Sequence, residues 1–387
     1  MEARKRHIFV WNLLLPVATF LWRILYNFHA EKVEVKGPFL LFSNHVTDLD
    51  PVMAACSFKE QIYFVASEHL MRSPFWGKLV TWLQAPIPRQ KGGSAADTVM
   101  TTLRHIKKGY NVGIFPEGNR CWDGVTASFP AATAKMTRTA AASGASLVTY
   151  RLEGGYFASP RWSGFSIRRG RMTGRVVGIY GPEELRAMKP AEIEAILKRD
   201  LYEDAYATQR ETPIAFKGRK LAEGMETLFF LCPKCGRLHT LVSAGDTVSC
   251  SVCDFSVRYL PTGFIEGAQW DNLRDWNLWQ QGEIRRMCDE AGEEAIFTDT
   301  EMECFRVESG HDSSLVGQGS MALYKDRLEL PGVTLPLSDI RGISLRGPQD
   351  IYFGTLENNY QLRCKSRRCT VRYLTAISYL NNTEYGV

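Results

Sequence analysis

From Lys32 to about residue 210 the chain alternates short β-rich runs with helical patterns, and no other feature constrains its fold as tightly. The runs KVEVKG, FLLFSN, QIYFVAS, NVGIFP, SLVTYRL and GRVVGIY are bounded by Gly, Pro or Asn, as strands are. Between them lie DPVMAACSF, SPFWGKLVTWLQA, SAADTVMTTLRHIKKG and PAATAKMTRTAAASG. Several of these open on Ser, Asp or Pro and close on Gly, the punctuation of helices. Alternation of this kind predicts an α/β fold, a largely parallel sheet flanked by helices.

The pattern changes twice further on. The short segment FFLCPKCGRLHTLVSAGDTVSCSVCDFSVRYL is β-rich and carries cysteines. A Trp-rich helical connector follows, with Trp270, Trp276 and Trp279 as docking residues. From about 296, GSMALYKDRLELPGVTLPLSDIRGISLRG and DIYFGTLENNYQLRCKS alternate apolar and polar residues. An amphipathic helix ends the chain, which predicts a small β-barrel closed by that helix. The expected segments are therefore 1–30, a membrane-anchoring helical segment; 31–225, the α/β domain; 226–262, a metal ribbon; 263–295, the connector; and 296–387, the barrel with its C-terminal helix.

At the N-terminus, ARKRHIFVWNLLLPVATFLWRILYNF has a basic start and a run of about 15 apolar residues, fewer than the roughly 20 a spanning helix needs. Pro16 is expected to bend it. Trp11, Trp22, Tyr26 and Phe28 suit the headgroup level, so an interfacial anchor is favoured over a full span. The stretch EHLMRSPFWGKLVTWLQAP puts Leu70, Phe75, Trp76, Leu79, Val80, Trp82 and Leu83 on an apolar face broken by Arg72 and Lys78. That face suits either a core helix or a bilayer contact. The formal charge of +5 is unevenly spread, and ARKR and RWSGFSIRRGRMTGR suit anionic surfaces such as phospholipid. The sequence carries no signature of a nucleic-acid partner.

Of the ten cysteines, Cys232, Cys235, Cys250 and Cys253 form two Cys-x-x-Cys knuckles around a β-rich spacer. Such a pair reads as a closed, tetrahedral four-thiolate site for structural zinc, with a single iron as the alternative. The others, Cys56, Cys121, Cys288, Cys304, Cys364 and Cys369, read as buried thiols.

The stretch SNHVTDLDP delivers Asn44 and His45 to a strand end, where α/β proteins place their sites. Asp50 before Pro51 also reads as a helix cap, and helical periodicity makes Asp48 the better-placed partner of His45. A second strand end presents FPEGNR: Glu117 and Arg120 around Gly118 suit an anionic oxygen or phosphate.

Together, NHVTDLD carries the His-x4-Asp pattern of the glycerolipid acyltransferase superfamily, and FPEGNR resembles its Phe-Pro-Glu-Gly-Thr-Arg motif. PIPRQKG resembles the second block, and LVTYRLEGGYFASPRW lies where the fourth falls. Asn119 replaces the usual Thr or Ser, and Thr149 stands where proline is common. The resemblance covers roughly residues 30–210. It implies acyl transfer from acyl-CoA or acyl carrier protein to the hydroxyl of lysophosphatidate, giving phosphatidate. His45 is then the general base and Asp50 its orienting carboxylate. Arg89 and Arg120 are implied to bind the acceptor phosphate, with Glu117, Gly118 and Asn119 beside them and Asn44 and Thr47 in support. No catalytic cofactor is implied. The alternatives are another lysophospholipid or glycerol 3-phosphate as acceptor, and a non-catalytic membrane adaptor. The implied location is the cytoplasmic face of the cell membrane, monotopic or with one N-terminal span. The C-terminal segment resembles lipid-associated barrels of the pleckstrin-homology and GRAM type.

Overall fold

The computed structural model describes residues 2–72, 76–89, 96–164, 166–307, 313–347, 349–365 and 370–383. Phe75, Gln90, Lys91, Gly92 and Cys369 lie outside them, as do the side chains of Arg72 and Trp76. The described residues fall into two compact units: one reaches Lys217 but leaves out Arg161–Ser166, and the other takes Arg161–Ser166 and continues from Gly218.

In the first unit a long helix α1 (Glu2–Leu25) leads into β1 (Phe28–Ala30) and β2 (Phe39–Ser43). Then follow α2 (Asp50–Ala55), β3 (Ile62–Ser67), α3 (Glu68–Arg72), α4 (Trp76–Gln84) and β4 (Ile87–Arg89). Next come α5 (Ala96–Lys107), β5 (Asn111–Ile114), α6 (Ala132–Ala142), β6 (Ser146–Glu153), α7 (Gly155–Ala158) and β7 (Met172–Tyr180). Helices α8 (Pro182–Ala187), α9 (Pro190–Leu201) and α10 (Ala205–Glu211) complete it.

The seven strands form one sheet in the order β1-β7-β6-β2-β5-β3-β4. Strands β6, β2, β5, β3 and β4 are all parallel, so their C-terminal ends share one edge; β7 runs against β6. This is the expected α/β layer fold. The fully buried strand β2 alternates its side chains between two cores. Leu40 and Phe42 join Ala134, Ala140, Ile193 and Leu197 from α6 and α9, while Phe39 packs on Phe58 with ring centres 5.4 Å apart. The run KVEVKG forms only an isolated bridge, Val33 to Phe58, rather than a strand.

Helix α1 runs on past Pro16 and is long and apolar enough to cross a membrane. Its first turns bury His7, Val10 and Trp11, and Tyr26, just past its end, is buried too. Its outward face exposes Ile8, Phe9, Leu13, Leu14, Val17, Phe20, Leu21, Ile24 and Leu25.

In the second unit, strands β8 (Leu241–Ala244), β9 (Thr247–Cys250), β10 (Ser256–Tyr259) and β11 (Ile265–Glu266) form an antiparallel ribbon. Helix α11 (Leu273–Glu290) buries Trp276 fully and stacks it on Phe229, ring centres 4.2 Å apart. Then come β12 (Phe297–Val307), β13 (Ser313–Leu323), β14 (Arg327–Leu330), β15 (Val333–Pro336), β16 (Arg341–Arg346), β17 (Asp350–Gly354) and β18 (Asn359–Cys364). These form a curled antiparallel sheet in the order β15-β14-β13-β12-β18-β17-β16, followed by α12 (Val371–Leu380). The expected barrel is thus an open one among the described residues, with β15 and β16 as its edges. Cys56, Cys121, Cys288, Cys304 and Cys364 are buried, as anticipated.

Candidate active site

His45 lies two residues past the end of β2, on the loop that leads into α2. Its Nδ1 is 2.8 Å from Asp50 Oδ2, and 20% of its side chain is exposed while none of Asp50 is. Asp50 opens α2 without capping it. Its carboxylate turns back on the loop, accepting from Val46 N (2.6 Å), Thr47 N (2.9 Å) and Thr47 Oγ1 (2.6 Å). Counting His45 Nδ1, four donors thus meet the buried carboxylate. A carboxylate oxygen accepting at Nδ1 favours the tautomer with its proton there, which leaves the Nε2 lone pair for an incoming hydroxyl.

The loop is fastened from the two neighbouring strand ends, those of β5 and β6. Asn44 bridges to β6, its Nδ2 donating to Leu152 O (2.9 Å) and its Oδ1 accepting from Leu152 N (2.8 Å). Glu117, just past β5, accepts from His45 N (2.6 Å) and from Ala127 N (2.8 Å). Cys121 N donates to His45 O (2.9 Å), and the Phe115 ring lies 4.8 Å from the imidazole. Gly155, past β6, lacks the Cβ that would strike the Val46 side chain, so α7 closes directly on the loop. Gly118 has φ +72°, a conformation that favours glycine, and turns the chain from Glu117 towards Arg120.

Arg120 is buried, and its guanidinium is already engaged. Nε donates to Val46 O (3.1 Å), Nη1 to Asp48 Oδ2 (2.8 Å) and Nη2 to Ser159 O. Of these partners Asp48 is a side chain with 65% exposure. Asp48 therefore faces the arginine, and Asp50 faces the histidine.

Arg89 ends β4 on the same sheet edge, half-buried, with its pKa lowered by that burial. Three strand spacings separate β2 from β4, about 14 Å. The structure thus brings Asn44, His45, Thr47, Asp50, Glu117 and Arg120 into one bonded cluster and sets Arg89 at the far side of the edge. Asn119 is half-buried beside them.

The sequence did not point to Glu203. It lies between α9 and α10 and, with Glu117, Cys121, Gly124 and Thr126, lines a narrow crevice beside His45. Burial pushes the carboxyls of both Glu117 and Glu203 up to about 8. An acidic residue inside the LYED turn, next to the apolar end of α9, was the available signal. Turn acids are ordinarily solvated, so it did not stand out.

Residues 26–153, about a third of the chain, match the family model described as Acyltransferase. Over 108 residues the chain is 28% identical to a 1-acyl-sn-glycerol-3-phosphate acyltransferase of Borreliella burgdorferi, covering 28% of this chain and 43% of that protein. The match therefore spans less than half the length of that curated relative. Among solved structures, the chain resembles that of the 1-acyl-sn-glycerophosphate (LPA) acyltransferase PlsC of Thermotoga maritima. The TM-score is 0.40 at 17% identity, covering 51% of this chain and 80% of that one.

Proposed function

We propose that this chain, whose residues 26–153 form a domain of the glycerolipid acyltransferase superfamily, moves an acyl group from a thioester to the hydroxyl of lysophosphatidate. The observation that carries this reading is the His45–Asp50 pair at the shared strand edge, its Nδ1 tied down and its Nε2 left for substrate. Nε2 takes the proton of the acceptor hydroxyl as its oxygen attacks the thioester carbonyl. The tetrahedral intermediate then expels the thiolate, which receives that proton back from the imidazolium. Asp50 stabilises the imidazolium between these steps. No acyl-enzyme forms, and the donor is acyl-CoA or acyl carrier protein.

Glu117 and Asn44 act through the backbone of the loop, fixing where the imidazole stands. Arg120 holds the same loop through Val46 O and Ser159 O, and Asp48 occupies its outward nitrogen. A phosphate monoester reaching Arg120 exchanges with that exposed carboxylate, two charge-assisted hydrogen bonds replacing one. Arg89 meets the phosphate or donor from the far end of the edge.

The apolar outward face of α1 supports attachment to a phospholipid bilayer. His7 shares a hydrogen bond with Tyr63 Oη at one end of the helix, and Tyr26 is buried at the other. With both ends docked on the same unit, the helix lies along the interface more readily than across it. In this reading the site works beside the leaflet that holds its acceptor, on the cytoplasmic side.

The test is acyl transfer by the purified chain on mixed vesicles, with labelled acyl-CoA or acyl carrier protein and a panel of acceptors. Lysophosphatidate is expected to be acylated fastest. Faster acylation of glycerol 3-phosphate or of a neutral lysophospholipid reassigns the acceptor, and no transfer to any of them refutes the reading.

A further inference from the structure

The four cysteines of the ribbon lie outside everything the acyl-transfer reading uses. Their Sγ atoms lie within 4.8 Å of one another, with Cys232 to Cys253 at 3.6 Å and Cys235 to Cys250 at 3.8 Å. A tetrahedron of thiolates at about 2.3 Å from a central zinc has edges of roughly 3.8 Å. A disulfide needs about 2.05 Å, so these separations suit a metal and not two bridges.

The backbone is built for the same purpose. The first knuckle closes through Gly236 N donating to Cys232 O (2.9 Å), with Gly236 at φ +67°. In the second, Val252 N donates to Cys250 Sγ (3.4 Å), a bond that stabilises a thiolate. Lys234 and Asp254, one from each knuckle, pair at 2.6 Å across the cluster.

His239, four residues after Cys235, is not a fifth ligand. Its φ is +57°, and its ring meets Arg372 Nη1 at 2.8 Å from Nε2. Arg372 is buried on α12 and pairs with Asp299 of β12, which also accepts from Tyr373 Oη (2.7 Å). The knuckle turn therefore ends on the ion pair that seats α12 against the sheet.

We propose that Cys232, Cys235, Cys250 and Cys253 bind one zinc ion as a closed structural site, and that this ion holds His239 in place against Arg372. Four thiolates fill a zinc coordination shell, so the site has no position for a substrate. The ribbon strands bury Leu241, Val248, Val257, Tyr259 and Ile265, and the metal adds a cross-link between the two knuckles.

The full chain, purified under reducing conditions without chelator, is analysed by plasma mass spectrometry. About one zinc per chain is expected, falling to about a tenth of that in Cys232→Ser/Cys250→Ser. A metal-free parent, iron in place of zinc, or zinc retained by the serine variant overturns the site. Should that variant fail to fold, the parent supplies the same answer. A mercurial thiol reagent releases zinc that a chromogenic chelator reads, and no release overturns the proposal. Hydrogen exchange tests the coupling to α12. Protection at Val371–Leu380 is expected to drop about tenfold on zinc removal, and also in His239→Ala, which keeps its zinc. Unchanged protection after zinc removal, or in a zinc-loaded His239→Ala, overturns that coupling.

Discussion

Each unit of the molecule buries an aspartate against a nitrogen-bearing side chain, Asp50 on His45 and Asp299 on Arg372, and the two arrangements end differently. In the first, Asp50 gathers three donors from its own loop and one from His45, and leaves a fifth of the imidazole side chain exposed. In the second, Asp299 closes on Arg372 and Tyr373, with 3% and 1% exposure for the aspartate and the arginine. Both aspartates are buried, but only the first has a partner with part of its ring open to solvent. Burial of a carboxylate therefore does not mark a reactive site. What marks one is a titratable partner with one face left open. Arg372 cannot lose its proton, so its pair serves as a fastening.

The largest effect that sharpens this contrast is expected from Asp50→Asn. Its amide presents the wrong hydrogen-bonding pattern to Nδ1, and kcat for acyl transfer should fall by about 10⁴-fold. KM for the acceptor should change little. A loss below tenfold would place the orienting role elsewhere.

Arg372→Met is the mirror experiment. It leaves Asp299 buried without its cation, and chemical denaturation should show about 3–5 kcal/mol of lost stability in the second unit. Turnover per folded molecule should persist. A neutral result would mean that Asp299 relaxes to solvent.

Glu203 breaks the comparison in another direction, being a buried acid with no basic partner on its Oε2 among the described residues. Burial raises it from its ordinary 4.5 to about 8, so between those values the folded chain holds a proton that the unfolded chain releases. Stability from this group is fully present below about pH 4.5 and is lost as pH rises towards 8. Glu203→Gln removes the loss. The stability of the variant relative to the parent should increase steadily from pH 5 to pH 8 in urea titrations. A difference independent of pH would show that the carboxyl is ionised throughout.

The smallest effect belongs to Asp48→Asn. Removing an exposed carboxylate from Arg120 should lower KM for lysophosphatidate by about two- to fivefold, the scale of a surface ion pair. A raised KM would assign Asp48 to substrate binding.

Much of this was legible in the chain. The alternating runs gave the parallel sheet because each strand is an uninterrupted apolar segment with turn residues at its ends, as FLLFSN and NVGIFP show. Strand β4 escaped notice because three residues, two of them Ile and Pro, carry no period; its place comes from pairing with β3. The pairing of His45 was ambiguous for a physical reason. Helical spacing favoured Asp48, but residues 44–49 form an irregular loop, and there the carboxylate that reaches backbone N–H groups wins. Arg120 looked like a free phosphate receptor because a motif does not reveal how its side chain is already bonded.

The account rests on Nε2 of His45 as the base, and one measurement bears on it most directly: the rate of acyl transfer to lysophosphatidate by His45→Ala beside the parent, with matched thermal unfolding curves. The account predicts a fall in kcat of at least about a hundredfold in a variant that unfolds at the same temperature. A His45→Ala protein that transfers acyl groups at the parent rate would contradict it.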